Sequence, residues 1–466
     1  MNDITAFFAF LKYCLGYKED MSRVIAGMDW QELYSFASKQ ALLGLCFEGI
    51  ERLGEEYPEE LRLNPIGREL LMTWMGKAQQ IRRQNMKVNA VASKLFSMLR
   101  EDGMRCCVLK GQGNALMYSN PYSRTPGDID VWIDASRERI MEYAQKKFEL
   151  EDDIRLQHLE TSLDGVPVEL HFFPCSMNNP IYHARLQKWF RRNADLQCSH
   201  IVGLPDGAGD IAIPTTAFNV VYQLCHLYHH FFDEGIGMRQ IIDYFLVVND
   251  FSKNVFLDND LSNHPVPLSK EGSTFSPSPS SSGSGDVTAP SRCSEPLRSK
   301  DGGPSKVSPD CAGWDRLDAI GASKVSPDCA GWDRLAIEGD NSATAVTSSA
   351  STALVVVQRE LKYLGLWKFA GAVMYVLHKA LGLSEEKMIA PMDEKRGKLL
   401  LAEILNGGNF GRHFTKYGHF TQQGMAKKYF LKIWRNMHFV RYFPAEALSE
   451  PIFRTWHFFW RLKHRR

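Results

Sequence analysis

The chain has 466 residues, 44% hydrophobic and 23% charged, which is typical of a globular protein with two to four domains. Its 55 basic and 54 acidic side chains give a net charge of +1, which argues against a strongly basic nucleic-acid coat protein and an acidic tail protein. No run of about 18 apolar residues predicts a transmembrane helix, and the N-terminus lacks the features of a secretory signal. The ten cysteines are scattered without a CxxC pair, so we expect a cytoplasmic protein with reduced thiols.

The first hundred residues predict helices. Asp29 can cap a helix that begins at Trp30. Apolar residues recur with a period of about 3.6 across residues 66–100, and Gly103 suits the end of that long helix. We therefore expect a helical N-terminal region over residues 1–103.

The pattern then changes to short apolar strands that alternate with a helix, which predicts a small mixed α/β core. Ser136 can cap the helix, which would extend to Phe148. The predicted strands cover residues 104–109, 129–133 and 166–173. Helical patterns follow over residues 215–232, 238–248, 361–383, 395–405 and 428–439.

Residues 252–352 interrupt the helical part. They contain 21 Ser, 9 Pro and 9 Gly, and such a segment cannot bury enough apolar area to offset the entropy of ordering it. The sequence SKVSPDCAGWDRL occurs at residues 305–317 and again at 323–335, which indicates a duplication. We expect a disordered insertion between two helices of one domain.

The C-terminal residues 426–466 are basic and aromatic, with 10 Lys and Arg residues against two Glu residues. Such a tail can bind nucleic acid, an anionic membrane surface or another anionic partner. The alternative interpretation, which we favour, is a helical cap with a solvated basic face.

A candidate site lies in the stretch VLKGQGNALMYSNPYSRTPGDIDVWID, residues 108–134. Asp128 and Asp130 are two positions apart at the start of a predicted strand, so their side chains project to one face. Two carboxylates on one side suit Mg²⁺, and a pair of such ions can assist displacement at phosphorus. Gly127 leaves room at the start of the strand.

A third carboxylate and a glycine turn extend this site. Glu169 and His171 share one face of the strand predicted at 166–173, and if that strand lies beside the Asp128–Asp130 strand, Glu169 completes a three-carboxylate site. It would bind metal or act as a base. Backbone N–H groups in the turn at Gly111, Gln112 and Gly113 can bind phosphate, with Lys110 and Arg124 as added cationic contacts.

Other polar residues have plainer interpretations. His226, His229 and His230 share one side of a helix, and we favour packing or hydrogen bonding over a metal or substrate contact. Arg239 and Asp243 have the spacing of an ion pair on a helix surface.

The order Leu109-Lys110-Gly111, Arg124, Asp128-Ile129-Asp130 and Glu169-Leu170-His171 resembles a bacterial family of uncharacterised nucleotidyltransferases within the polymerase-β-like superfamily. The resemblance implies an α+β fold with a small mixed-sheet core flanked by helical regions. It also implies transfer of a nucleoside monophosphate from an NTP, such as ATP, to an acceptor, with Mg²⁺ or Mn²⁺ as cofactor. The expected regions are 1–103 (helical), 104–213 (core), 214–251 with 353–466 (helical) and 252–352 (insertion).

The implied catalytic and metal-binding residues are Asp128, Asp130 and Glu169, and the implied nucleotide-binding residues are Lys110, Gly111, Gln112, Gly113, Arg124 and Gly127. The sequence leaves the acceptor open among a small molecule, RNA and a protein. Two rival functions remain. One is an inactive binding module that acts through its helical regions and basic tail, and the other is a phosphotransferase that moves the γ-phosphate.

Overall fold

The computed structural model describes residues 3–150, 155–261, 349–412 and 425–464. These four ranges belong to one compact unit. The expected bounds of the insertion are wrong at both ends, because helices occupy residues 252–261 and 349–352. The tandem repeat lies outside the described residues.

Six helices precede the sheet. Asp29 caps the third of them, since its carboxylate accepts hydrogen bonds from the N–H groups of Gln31 and Glu32, as predicted. The sixth helix ends where Gly103 adopts a φ of 71°, which favours glycine. The six helices are α1 (Asp3–Cys14), α2 (Ser22–Ala26), α3 (Trp30–Lys39), α4 (Leu43–Glu56), α5 (Pro58–Leu63) and α6 (Arg68–Glu101).

A four-stranded mixed sheet forms the core, with strand order β1-β2-β4-β3. Strands β1 and β2 are antiparallel, β2 and β4 are parallel, and β3 and β4 are antiparallel. The strands are β1 (Cys106–Leu109), β2 (Ile129–Ile133), β3 (His158–Leu163) and β4 (Val166–His171). Strand β3 was not predicted, and β1 and β4 are shorter than expected. Between β1 and β3 lie the helices α7 (Gly111–Ala115) and α8 (Arg137–Lys147).

The two faces of the sheet differ because side chains alternate along each strand. One face is apolar and belongs to a core with α6 and α8, in which Val131, Leu170 and Ile140 are fully buried. The opposite face carries Asp130, Glu169 and His171 and lies toward the C-terminal helices. The alternation thus separates an apolar face from a face that combines these polar groups with the buried Trp132.

The described residues after β4 are mainly helical, with a short hairpin of β5 (Ile201–Gly203) and β6 (Asp210–Ala212). A single helix predicted at 361–383 is wrong, because Gly365, at a φ of 73°, separates two helices. The helices are α9 (Pro180–Ser199), α10 (Thr216–Asp233), α11 (Met238–Leu261), α12 (Ser349–Tyr363), α13 (Trp367–Leu381), α14 (Glu394–Gly407), α15 (Met425–Met437) and α16 (Pro444–His464).

Several basic side chains of the C-terminal tail are used inside the fold. Lys432 and Arg454 each place a nitrogen 2.9 Å from Asp233 Oδ1 on α10. Arg435 is buried and donates to the carbonyl of Phe231 at 2.7 Å. These three residues therefore hold α15 and α16 against α10, so they do not belong to the solvated basic face that was expected of the tail.

The described residues bear on two further expectations, which concern membrane-spanning helices and the state of the cysteines. Within them, no helix combines the length and apolar character needed to cross a membrane. The seven cysteines among them are unpaired thiols, and six of these are buried.

Candidate functional site

The two aspartates and Glu169 lie on neighbouring strands, as the alternation predicts. Asp130 and Glu169 are register partners in the parallel pair of β2 and β4. Asp128 immediately precedes β2, and both aspartates line one cavity between the sheet and the C-terminal helices. Asp130 and Glu169 are therefore adjacent, as expected if the two strands are neighbours, and Glu169 does not line the cavity.

Lys110 connects the sheet to helix α10. It follows β1 with a φ of 51°, and Gly111 after it has a φ of 39°, so the chain turns sharply into α7. Lys110 Nζ lies 3.0 Å from Asp130 Oδ1 and 3.1 Å from His226 Nε2. Burial alone would lower the pKa of Lys110, but Asp130, Asp128 and Glu169 raise it, so the amine is charged.

The two aspartates have opposite electrostatic environments. Burial alone would raise the pKa of Asp130, but Lys110 and His171 lower it well below its usual range. The charge of Asp130, together with burial, raises the pKa of Asp128 to about 6. Asp128 therefore carries negative charge that the neighbouring side chains do not balance, and a cation in the cavity would stabilise it.

A second cluster of polar side chains, centred on His171, lies on β3 and β4 beside Asp130. His171 is 1% exposed, and its Nε2 lies 3.0 Å from Asp130 Oδ1 and 3.1 Å from Glu169 Oε2. Burial opposes the charged form, but these hydrogen bonds raise the pKa of His171 to about 9. Although burial alone would raise the pKa of Glu169, the contact with His171 lowers it.

His158 completes this group and was missed in the sequence. It is the register partner of His171, and its Nδ1 lies 3.3 Å from Glu169 Oε2. Burial lowers the pKa of His158 to about 3, so the imidazole is neutral. Three side chains of His, Cys, Asp or Glu can together hold a metal ion if their ligand atoms are close enough. Among the described residues, His158, Glu169 and His171 are the one set that meets this condition. The alternation of HLETSL in β3 is the signal that could have revealed His158.

Arg124 and Asp243 form a buried ion pair. The guanidinium of Arg124 donates from Nε at 2.9 Å and from Nη2 at 2.8 Å, and both side chains are nearly inaccessible. Burial alone would raise the pKa of Asp243, but Arg124 lowers it. The expected surface pair of Arg239 with Asp243 is therefore wrong, since Asp243 pairs with Arg124 and Arg239 donates to the carbonyl of Thr125 at 2.9 Å.

The predicted site residues other than Glu169, which contacts His171 and His158 instead of lining the cavity, divide into two groups. Six of them line the cavity: Lys110, Gly111, Arg124, Gly127, Asp128 and Asp130. Gln112 instead donates its side-chain amide to Asn89 on α6, and a Cβ at Gly113 would lie 3.1 Å from the Ile213 side chain. The structure thus gives Gln112 and Gly113 packing partners away from the cavity.

The other residues that line the cavity come mainly from the helices, and the sequence did not predict many of them. His226 accepts a hydrogen bond from charged Lys110, while burial lowers its own pKa well below the usual value. His226 and His230 have ring centroids 4.3 Å apart, in agreement with the favoured packing interpretation. The other helical and loop residues of the lining are Asn114, Gln223, Leu227, Arg239, Gln240, Asp243 and Phe410. Because these residues are far apart in the sequence, no local pattern predicts that they line one cavity.

The comparisons with known proteins give one match. Neither the curated proteins nor the solved structures include one that matches the chain. A family model described as "Uncharacterised nucleotidyltransferase" matches residues 26–262, which is more than half of the chain and includes all three carboxylates. The chain therefore belongs to this family of uncharacterised nucleotidyltransferases.

Proposed function

We propose that the protein transfers a nucleoside monophosphate from an NTP to an acceptor hydroxyl in a reaction that depends on a divalent metal ion, Mg²⁺ or Mn²⁺. The acceptor oxygen attacks the α-phosphorus, the bond to the bridging oxygen breaks, pyrophosphate leaves, and the hydroxyl proton is lost to water. The observation that supports this most is the placement of Asp128, Asp130 and Lys110 around one cavity of a nucleotidyltransferase-family chain.

The residues fit a hard divalent cation. Asp128 and Asp130 offer carboxylate oxygens, the ligand type that Mg²⁺ prefers. The raised pKa of Asp128 reflects repulsion by Asp130, which a bound cation would relieve. When bound, the metal would stabilise negative charge on the phosphate oxygens.

Glu169 fits the role of a metal ligand better than that of a general base. A base that acts near neutral pH needs a raised pKa, whereas the contact with His171 leaves the pKa of Glu169 lowered. Its carboxylate is directed to His171 and His158. Of the two roles that the sequence suggested, we retain only that of a metal ligand, and because Glu169 does not line the cavity we assign it to an ion beside the two histidines and not to the ion held by Asp128 and Asp130.

Cationic contacts with the phosphates come from Lys110 and Arg239. The Lys110 amine lies in the cavity beside Asp130. Arg239 also lines the cavity, is 8% exposed, and has a buried Nε from which no group among the described residues accepts a hydrogen bond. Burial and the neighbouring Arg124 lower the pKa of Arg239, so an anion would stabilise its charged form. Because Asp243 already binds Arg124, Arg239 replaces Arg124 in this proposal as the phosphate contact.

The test is a product analysis with each of the four NTPs and Mg²⁺, in the presence of a panel of sugar phosphates, aminoglycosides and tRNA. We expect pyrophosphate and a nucleotidylated acceptor, both absent with Asp128→Asn/Asp130→Asn. Release of ADP with a phosphorylated acceptor would instead indicate the phosphotransferase. Unchanged pyrophosphate release by the double variant would contradict the proposed site.

A further inference from the structure

We propose that His158, Glu169 and His171 form a binding site for a divalent transition-metal ion of the Zn²⁺ type. This site lies beside the cavity in which Asp128 and Asp130 would hold Mg²⁺. It goes beyond the proposed function, because an ion can bind these three side chains whether or not the protein binds an NTP.

The strand register brings the three side chains together. His158 on β3 and His171 on β4 are directly opposite each other, and Glu169 is two residues before His171. All three therefore project from the same face of the sheet, on rigid backbone. A site on paired strands holds its ligands more accurately than a site on a loop.

The ligand atoms of the three side chains lie within 4.8 Å of one another, and the two distances that involve Glu169 are near those between ligands of a tetrahedral zinc ion. Glu169 Oε2 lies 3.1 Å from His171 Nε2 and 3.3 Å from His158 Nδ1. Ligands about 2.1 Å from a zinc ion are about 3.4 Å from one another in a tetrahedron. Asp130 Oδ1, 3.0 Å from His171 Nε2, is a fourth donor within reach.

His158 gives an independent indication of a ligand. It is 8% exposed, yet neither of its ring nitrogens makes a hydrogen bond within the described structure. Buried polar groups are normally satisfied, and the 3.3 Å approach directs Nδ1 toward Glu169. Without a metal, His171 Nε2–H donates to Asp130 and Glu169, and a bound ion would take the place of that proton.

The donor set selects the class of metal. Imidazole nitrogens favour zinc and its neighbours, whereas Mg²⁺ favours oxygen ligands alone. Two histidines with a glutamate are a known ligand set of catalytic zinc. The side chain of Glu169 is 21% exposed, so solvent can reach the group.

The test measures metal binding by the full chain without nucleotide, after removal of metals with a chelator. Calorimetric titrations with ZnCl₂ and MgCl₂ are compared for the wild type, His158→Gln and Glu169→Gln. His200→Gln removes an exposed histidine at the end of α9 and is the matched control. Co²⁺ absorption in the visible range reports the ligands, and circular dichroism without metal verifies that each variant folds.

We expect Zn²⁺ to bind the wild type at least about 100-fold more tightly than Mg²⁺. We also expect His158→Gln to weaken Zn²⁺ binding by at least about 100-fold, more than the loss of an outer partner costs, and to change the Co²⁺ spectrum. His200→Gln and Asp128→Asn should retain Zn²⁺ binding. If His158→Gln does not fold, the same loss in Glu169→Gln supports the site.

Equal Zn²⁺ affinity of the wild type and folded His158→Gln would overturn the inference, as would equal affinities for Zn²⁺ and Mg²⁺. The outcome is separate from that of the proposed function. A protein that binds Zn²⁺ through His158 but no NTP supports the metal site and contradicts nucleotidyl transfer. A protein that binds Mg²⁺ and NTP but not Zn²⁺ supports nucleotidyl transfer and contradicts the Zn²⁺ site.

Discussion

At the scale of single residues, buried charges define the site. Arg124 has a bidentate carboxylate partner, whereas Arg239 donates to a backbone carbonyl and its Nε has no acceptor in the described part of the chain. A buried guanidinium without a carboxylate partner is costly, and a phosphate is the anion that its fork geometry binds well. The proposal therefore predicts different consequences for the two arginines.

We predict that Arg239→Gln lowers the affinity for the bound NTP by about 10-fold to 100-fold, as expected for loss of hydrogen bonds to a charged group. Calorimetric titration with NTP and Mg²⁺ measures the effect. Arg83→Gln, at an exposed position on α6, is the control and should bind like the wild type. An unchanged affinity of Arg239→Gln would exclude this phosphate contact.

The sequence reveals some of these residues and hides others for a physical reason. Alternation along a strand places Asp130, Glu169 and His171 on one face, so their proximity could be predicted once the strands were taken as neighbours. The partner of Asp243 could not, because Arg124 is 119 residues away and outcompetes the local residue Arg239. Local spacing predicts which contacts are available, whereas the tertiary fold decides which one forms.

At the scale of elements, helix α4 supports the loop that carries Arg124. A Cβ at Gly44 would lie 2.3 Å from the carbonyl oxygen of Ser123, so the helix approaches that loop through a glycine. Asn85 on α6 holds the same loop, since its amide donates to the carbonyls of Tyr122 and Arg124 at 3.1 and 2.8 Å. The N-terminal helices therefore contribute to the geometry of the site.

We predict that Gly44→Ala lowers the free energy of unfolding by about 1–3 kcal/mol, because the added methyl group overlaps backbone atoms. Gly54→Ala on the same helix is the matched control, since nothing lies within 4 Å of its Cβ position. That substitution should be neutral or stabilise the protein by up to about 1 kcal/mol. Urea denaturation measures both, and equal effects would contradict the close approach of α4.

Prediction of elements succeeded where caps and periodicity agree and failed where only one signal was present. Asp29 and Ser136 both cap the helices expected of them. The helix break at Gly365 was missed because apolar periodicity continues across it, and β3 was missed because only two of its six residues, Leu159 and Leu163, are apolar. Tertiary pairing with β4 stabilises β3, and that pairing is not visible in the segment alone.

At the scale of the whole molecule, the C-terminal helix α16 is anchored to the start of α9. Glu446 is 1% exposed and accepts hydrogen bonds from the N–H groups of Asn178 and Asn179 at 2.6 and 3.3 Å. Burial nevertheless raises the pKa of Glu446 from 4.5 to about 7. The packing of the C-terminal region should therefore depend on pH.

Because the folded state holds the proton more tightly than the unfolded state, stability falls as pH rises from about 4.5 to about 7. We predict that this group lowers the free energy of unfolding by up to about 3 kcal/mol across that range. Urea denaturation of the wild type and Glu446→Gln at pH 5 and pH 7.5 isolates the effect as the difference between the two proteins. A pH dependence that is the same in both would show that Glu446 is not its source.

The central claim, a metal-dependent nucleotide site at Asp128 and Asp130, is tested most directly by calorimetric titration of the four NTPs with and without Mg²⁺. The wild type is compared with Asp128→Asn/Asp130→Asn and with Glu142→Gln, which removes an exposed carboxylate on α8. The account predicts that at least one NTP binds the wild type and Glu142→Gln only with Mg²⁺, and that the double variant loses this binding. Absence of NTP binding by the wild type, or equal binding by the double variant, would contradict it.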